Sequence, residues 1–549
     1  MSSTRIPLLA FALLLSHVSF AQGAEAYVDH WDAKKTIKKS EGLLVNGREW
    51  GEWKFYDPQG HLQEQADFKS GERDGHVRIY YDNAQLQHDG WMKRGVQDSV
   101  ITSYYPNGKV MEQGAYKKGV KEGAWNYFYS DGRPMLKETW DKGIALSLEA
   151  WDRDSTHTLV NGTGFLRTYY ASGAVSEVGN YKMGVRDGEQ AEYWPAGNVK
   201  VQGMSSGGVR HGVWKWFGSN GKPEKIATYH AGKLHGAYSV FRVDGSADVT
   251  GFYADDLKDS LWTWIGTNGK PDMTGPFKKD LREGVWKFWY PTGQLSSTGA
   301  FKSDKEEGEW VYFYEKGQFW KKGSFTAGVK TGVWTTWYES GQKLQEGPYA
   351  SGEEDGRWES WFESGQLKGE GSFKQGKMDG LWRGFFPDGQ PDYEGWYAND
   401  LKNGAWKLYF EQVPGKQVGG RVKEEGSYAE GRKSGRWVAY SVSGLPISEG
   451  LYANGTPTGQ WTYYDDAGVK MREQSFSNGD PDGPCVVYDQ RGRVIQRMNY
   501  KEGQLHGTMT FYNSDGSVQK TMEYEGGQLK KAPPPPGQKP RGGGVPGGR

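Results

Sequence analysis

The sequence predicts an all-β protein: an elongated repeat array of antiparallel β-hairpins, each about 24 residues long, forming a twisted ribbon-like or solenoid-like sheet. Three observations predict it: a strict period, columns of aromatic rings in register, and turn residues at fixed places. The period is plain in "GEWVYFYEKGQFWKKGSFTAGVKTG" from Gly308, "GVWTTWYESGQKLQEGPYASGEEDG" from Gly332 and "GRWESWFESGQLKGEGSFKQGKMDG" from Gly356. With the leading glycine at offset zero, units open at residues 51, 75, 99 and 123, at every 24th residue from 164 to 404, and at 435, 459, 483 and 507. Seventeen of these 19 openers are Gly, the exceptions being Ser99 and Ser260.

The ring columns come next. At offset five, 18 of the 19 units carry an aromatic, Ile265 being the departure, and at offset two 12 carry Trp. A third column at offset 17 includes Phe68, Tyr116, Trp140, Tyr229, Phe301, Tyr349 and Phe373, broken at Met92 and Ser205. Aromatics are 15% of the chain while all hydrophobics are only 36%, so burial rests on rings. Trp286, Trp289, Trp310, Trp334, Trp337, Trp358, Trp361 and Trp382 are the clearest members and read as structural. Offsets two and five differ in parity, which places them on opposite sheet faces unless a bulge intervenes.

Punctuation supplies the strands. At offset nine stands another Gly, often after Asn, Asp or Ser, as in Asn107-Gly108 and Asp388-Gly389. Such pairs accept positive φ and close tight hairpins. A second Gly-rich turn, as in "KSGERDG" or "KKGVKEG", separates the units, leaving two runs of about six to eight residues rich in rings, Val and Thr. Two strands in each of 19 units give about 38 strands. An isolated hairpin is marginal in water, so each unit needs its neighbours.

Taken in order, residues 1–26 read as a secretory signal peptide: Arg5, the apolar run "IPLLAFALLLSHVSF", then cleavage patterns at Ser19-Phe20-Ala21 and Ala24-Glu25-Ala26. The run is shorter than a membrane span, so no transmembrane segment is expected after cleavage. Residues 27–146 hold a cap and four hairpin repeats, and 147–163 a shortened, degenerate unit. Residues 164–427 hold eleven repeats with a loop insertion near 411–420, and 428–531 four C-terminal repeats. Residues 532–549 read as a disordered Pro/Gly-rich basic tail. The expected location is outside the cytoplasm: periplasmic, cell-surface or secreted, in a bacterium.

Units of the form G-x-W-x-x-Y-x-x-x-G…G-x-Y-x-x-G, as in "GKPEKIATYHAGKLHGAYSVFRVDG", resemble the MORN-repeat variant of bacterial YwqK-type antitoxin-like proteins. The resemblance spans roughly residues 42–529. It implies a β-hairpin array used as a binding scaffold, and no shared catalytic residues.

The residues themselves point the same way. With 68 basic and 68 acidic side chains, net charge is zero and nothing draws the chain to nucleic acid. The single cysteine, Cys485, excludes a disulfide framework and occupies a ring slot, where a small apolar side chain suffices. His211, His235 and His506 each precede an opener, and His230 shares a turn region with His235. The strand count puts His211 and His235 about 10 Å apart, so they read as surface residues rather than a zinc site. Carboxylates such as Glu306, Glu307, Glu353, Glu354 and Asp355 alternate with Lys in loops, without the burial that paired catalysis requires. The expectation is an exported, non-enzymatic protein-interaction scaffold of the cell envelope, without cofactor or metal. The alternatives are a glycan-binding envelope protein using exposed rings, and an antitoxin or immunity-type inhibitor.

Overall fold

The computed structural model describes residues 23–530, which form strands and no helix. The signal-peptide reading therefore lies outside the described residues up to residue 22, and the basic tail lies outside them from 531. The chain divides into two compact bodies, Met1–Lys258 and Asp259–Arg549. Within each, successive hairpin strands pair antiparallel, and where a strand is divided both pieces pair with the same preceding strand. Among the described residues there are 47 strands rather than the expected 38. Four of the excess arise because a strand is divided at its opener (Leu281–Arg282 and Gly284–Trp289, for example). The rest come from the N-terminal hairpin, the short unit and the C-terminal end.

One unit shows how the backbone is made. Val329–Trp337 pairs with Lys343–Ala350, joined by a type of turn in which Gly341 donates to the Tyr338 carbonyl and Tyr338 N–H to that of Gln342. Gly341 has φ +91°, the left-handed residue that completes a three-residue hairpin loop with a bulge. The connection to the next unit is tighter: Ser351 and Gly352, at φ +53° and +90°, form a two-residue type I′ turn, whose twist matches that of the strands. Only those two residues are turn. The opener Gly332, read above as turn punctuation, instead lies inside the nine-residue strand Val329–Trp337 at φ +66°. It marks a bulge in the ladder to Phe319–Thr326, where the register slips between Lys322 and Ser324. All 19 openers share positive φ, Ser99 and Ser260 included at +61° and +58°. An L side chain costs about 1–2 kcal/mol there, which accounts for the glycine column.

At four type I′ turns the second residue is Asp: Asp256, Asp280, Asp304 and Asp400. Asp304 donates its N–H to the Arg282 carbonyl at 3.1 Å and accepts the Arg282 N–H on its carboxylate at 2.9 Å. The carboxylate thereby offsets the cost of the left-handed conformation. Asp256 with Leu234 and Asp400 with Met378 repeat the arrangement.

The N-terminal cap is a hairpin, Ala24–His30 with Lys38–Val45. In the short unit, Ile144–Trp151 pairs with His157–Val160, which pairs with Thr163–Tyr169, so the ladder continues. The inserted residues form the loop between Leu401–Tyr409 and Val422–Ala429, with Trp406 still opposite Gly426.

Candidate binding surface

One face of each body is filled from within. Trp334 lies directly over Gly323 of the preceding strand: a Cβ there would sit 2.1 Å from its ring. Its Nε1–H donates to the Ser324 carbonyl at 3.2 Å. The same lock holds Trp53 on Gly42, Trp125 on Gly114, Trp214 on Gly203, Trp358 on Gly347 and Trp437 on Gly426. Burying an indole of 150–250 Å² is worth on the order of 4 kcal/mol, against about 1 kcal/mol net for the hydrogen bond. Burial therefore supplies the energy, and the bond keeps the N–H satisfied.

The offset-17 rings fill the gaps edge-on. Phe325 meets Trp334 at 5.0 Å and 85°, and Trp334 meets Tyr349 at 6.1 Å and 76°. In the Asp259–Arg549 body this herringbone runs unbroken from Trp262 to Phe476. Cations roof it: Lys330 stands 4.8 Å from Trp334 and 4.5 Å from Tyr349, and Lys433 3.9 Å from Trp437. Burial, and then the neighbouring Lys433, pushes the Lys402 ammonium below its ordinary range. This face offers few ring surfaces to a ligand.

Of the eight rings singled out by sequence, Trp286, Trp310, Trp334 and Trp358 are buried and Trp382 partly so. Trp289, Trp337 and Trp361 are half-buried and belong to the other face. That face is identified by the offset-five phenols. Tyr440 bonds Glu425 at 2.7 Å and Tyr464 bonds Glu449 at 2.6 Å, and those glutamates alternate with the residues that face Trp. Burial first, then Glu425, pushes the Tyr440 phenol up to about 12, while Tyr464 and then Arg436 hold Glu449 below the usual carboxylate range.

A fourth ring column was missed by sequence reasoning. At offset six, Tyr81, Tyr105, Tyr290, Tyr314 and Tyr338 each donate a phenol O–H to the carbonyl 23 residues on, at 2.7–3.0 Å. Each unit is thus tied to the next outside the strand ladder. The recurring pairs Tyr80-Tyr81, Tyr104-Tyr105 and Trp337-Tyr338 were the available signal.

The second face carries an apolar stripe. Offsets one and 16 are cross-strand partners, as in Val333 with Pro348 and Leu381 with Trp396. In the first body they place Trp91, Val100, Met204 and Val213 in solvent; in the second, Leu261, Val285, Val333, Trp396 and Leu451. Val285 and Val333 are each 59% exposed, far more than a residue placed there for packing. Around Trp396 lies an open depression of about 270 Å³, lined also by Leu381, Glu394, Lys407, Glu425 and Arg436. Beside the stripe runs an ion-pair ladder, Glu359–Arg357–Glu370–Arg383–Glu394.

One unit adds rings of its own. Phe319 and Trp320, both exposed, stand at offsets 11 and 12, where no other unit carries a ring. Phe319 lies 5.4 Å from Phe313 and 5.6 Å from Trp337, and Trp320 lies 6.2 Å from Tyr312 and from Tyr314.

The remaining chemistry-bearing residues are dispersed. Cys485 is buried opposite Gln474 in the Trp column, and burial pushes its thiol up, away from nucleophilic use. Glu306, Glu307, Glu353, Glu354 and Asp355 lie along strand starts. Asp152, buried in the short unit, is paired with Arg167 and Tyr169. His506 is far in sequence from the other histidines, whereas His211, His230 and His235 come together, their rings 5.7 and 5.8 Å apart in succession.

The family described as MORN repeat variant matches residues 51–70, 97–118, 210–231, 282–303, 330–350, 354–375 and 505–530. No curated protein matches the chain. Among solved structures, it is similar to a chain of "Crystal Structure of TcdB2-TccC3" at 11% identity and TM-score 0.13, covering 87% of this chain and 30% of that one. It is also similar to a chain of "Crystal Structure of TcdB2-TccC3-Cdc42" at 10% identity and TM-score 0.12, covering 91% and 29%. The chain thus spans about a third or less of the length of those it matches.

Proposed function

We propose that this chain, a protein of MORN repeat variants, is an exported, non-enzymatic scaffold that binds partner proteins of the cell envelope along its second face. One observation carries the reading: exposed apolar side chains recur at the same two register positions in ten of the 19 units, on the face that the buried rings leave free. A stripe that repeats with the array, flanked by ion pairs, matches the make-up of a protein interface with an apolar centre and polar rim. No packing role accounts for it, since the Trp–Gly lock already covers the other face.

The cap bears on where a signal peptide would be cleaved. Ala24–His30 is a strand of the cap, so cleavage after Ala26 would remove three of its seven residues, whereas cleavage after Ala21 leaves it whole. The mature chain is expected to begin at Gln22, which N-terminal sequencing of the secreted material checks.

The test of the scaffold reading is photo-crosslinking in intact cells, with a benzophenone residue at Val285 or Val333 and, as control, at Lys330 above the packed rings. Defined envelope proteins should be captured from the first two positions and not the third. Lys in place of Leu261 and Val285 should abolish the capture. An exported, folded protein that captures nothing from the stripe defeats the proposal. The exposed rings Phe319 and Trp320 favour a second reading, glycan binding by stacking. It requires a saccharide-dependent change in Trp fluorescence that Trp320→Ala removes.

A further inference from the structure

The geometry points to a binding site for a late first-row divalent cation, of which zinc is the representative, on His211, His230 and His235 of the Met1–Lys258 body. These three come from adjacent strands, Val209–Phe217, Pro223–His230 and Lys233–Phe241. Gly212 pairs with Tyr229, which sets His211 beside His230; His230 pairs with Lys233, two residues before His235. Counting strands puts His211 and His235 about 10 Å apart backbone to backbone, and His230, on the strand between them, has its ring near both.

The spacing of neighbouring rings is slightly wider than shared coordination requires. A zinc-bound imidazole nitrogen lies about 2.0–2.1 Å from the ion, so two rings on one tetrahedral ion have centroids roughly 5 Å apart. The observed separations are 5.7 Å for His211–His230 and 5.8 Å for His230–His235. All three side chains are exposed, so small χ rotations are free of packing cost. As placed, no group of three or more His, Cys, Asp or Glu among the described residues could hold a metal ion, so binding requires the outer rings, His211 and His235, to swing toward His230.

The outer partner is also present. His235 Nδ1 lies 3.4 Å from Asp255 Oδ1, an orientation that leaves Nε2 free to ligate. Lys233, opposite His230, and Arg210, beside His211, are the cations of this ladder, and they limit affinity without blocking a nitrogen. Neutral imidazoles select zinc, copper or nickel over magnesium or calcium, which prefer oxygen. Three of the ten histidines in the chain fall within this patch.

The test is equilibrium dialysis and calorimetry of the full exported chain with Zn²⁺, with Mg²⁺ as comparison. One equivalent of zinc should bind, and His230→Asn, which removes the shared ring, should weaken it at least tenfold. The triple Asn variant should abolish it, Asp255→Asn should weaken it about tenfold, and His506→Asn should change nothing. Zinc should also protect these three imidazoles, and not His61 or His506, from diethyl pyrocarbonate on the unaltered protein, which needs no variant to fold. Absence of zinc uptake, uptake unchanged by a folded His230→Asn variant, or uniform histidine modification overturns the site.

Discussion

From Trp262 to Phe476 one face is a continuous herringbone of Trp and Phe or Tyr, whereas between Ile144 and Ser206 the same positions hold Leu166, Gln190 and Ser205, with Tyr181 the one ring. The backbone does not register the difference. Outside the short unit, both stretches have type I′ turns (Met183-Gly184, Ser351-Gly352), positive-φ openers (Gly188, Gly332) and antiparallel ladders of the same length. Register therefore comes from the glycine bulges and turns, and the rings are one way to fill the space that register leaves. Gln190 shows a second way: it sits over Gly179, and its Nε2 donates to the Asn180 carbonyl at 2.8 Å, the bond an indole would make. Its Oε1 is left without a partner.

The comparison breaks most sharply at the residue beneath the ring. Gly347→Val places a side chain 2.2 Å from the Trp358 ring and is expected to cost about 3 kcal/mol or more, at the upper end of overpacking. Gln190→Trp, over an existing glycine and acceptor, should instead stabilise by about 1–2 kcal/mol. Val77→Trp should destabilise, because Ala66 occupies the glycine position in that unit, and Ala66→Gly should restore it. Denaturant midpoints give the ranking. Local amide exchange assigns it, since a long array need not unfold in one step. Equal effects of Val77→Trp with and without Ala66→Gly would refute the lock.

A smaller effect tests the openers. Ser99→Gly and Ser260→Gly should each stabilise by roughly 1 kcal/mol by removing a left-handed L-residue, and Gly332→Ala should destabilise by about 1–2 kcal/mol. A neutral Gly332→Ala variant would mean that the bulge is adaptable and that register is set elsewhere.

The period, the hairpins and the Trp column were legible in the sequence because each recurs at a fixed offset. The division of labour among glycines was not. Gly332 and Gly352 look alike as letters, yet one bulges a strand and the other closes a turn. Gly323 passed unnoticed because its meaning is the ring of Trp334, eleven residues on. That coupling can be read from exceptions, since Ala66 accompanies Val77, Ala227 accompanies Tyr238 and Gln474 accompanies Cys485. The exposed stripe was hidden for a different reason. Valine at offset one suits a strand in any environment, and only the face assignment shows that Val285 and Val333 meet solvent.

The smallest effect concerns the turns that use aspartate. The Arg282 backbone N–H, ahead of its guanidinium, holds the Asp304 carboxyl below its ordinary value near 3.9. A carboxylate depressed in the folded state adds stability above the unfolded pKa and loses it as pH falls through the lower folded value. The Asp304 contribution is thus complete at pH well above the ordinary carboxyl value and fades as pH falls through the lower folded one. Solvent screening keeps it small, because the side chain is 42% exposed. Gly352, in the equivalent turn, donates to the Lys330 carbonyl at 3.1 Å with no titrating group. Asp304→Gly should then be nearly neutral at pH 7 and flatten the acid limb of stability, while Asp304→Ala should cost about 1–2 kcal/mol, since it keeps the strained φ and loses the compensating carboxylate. If Asp304→Ala and Asp304→Gly lose stability equally at pH 7, the carboxylate bond and not the backbone conformation governs these turns.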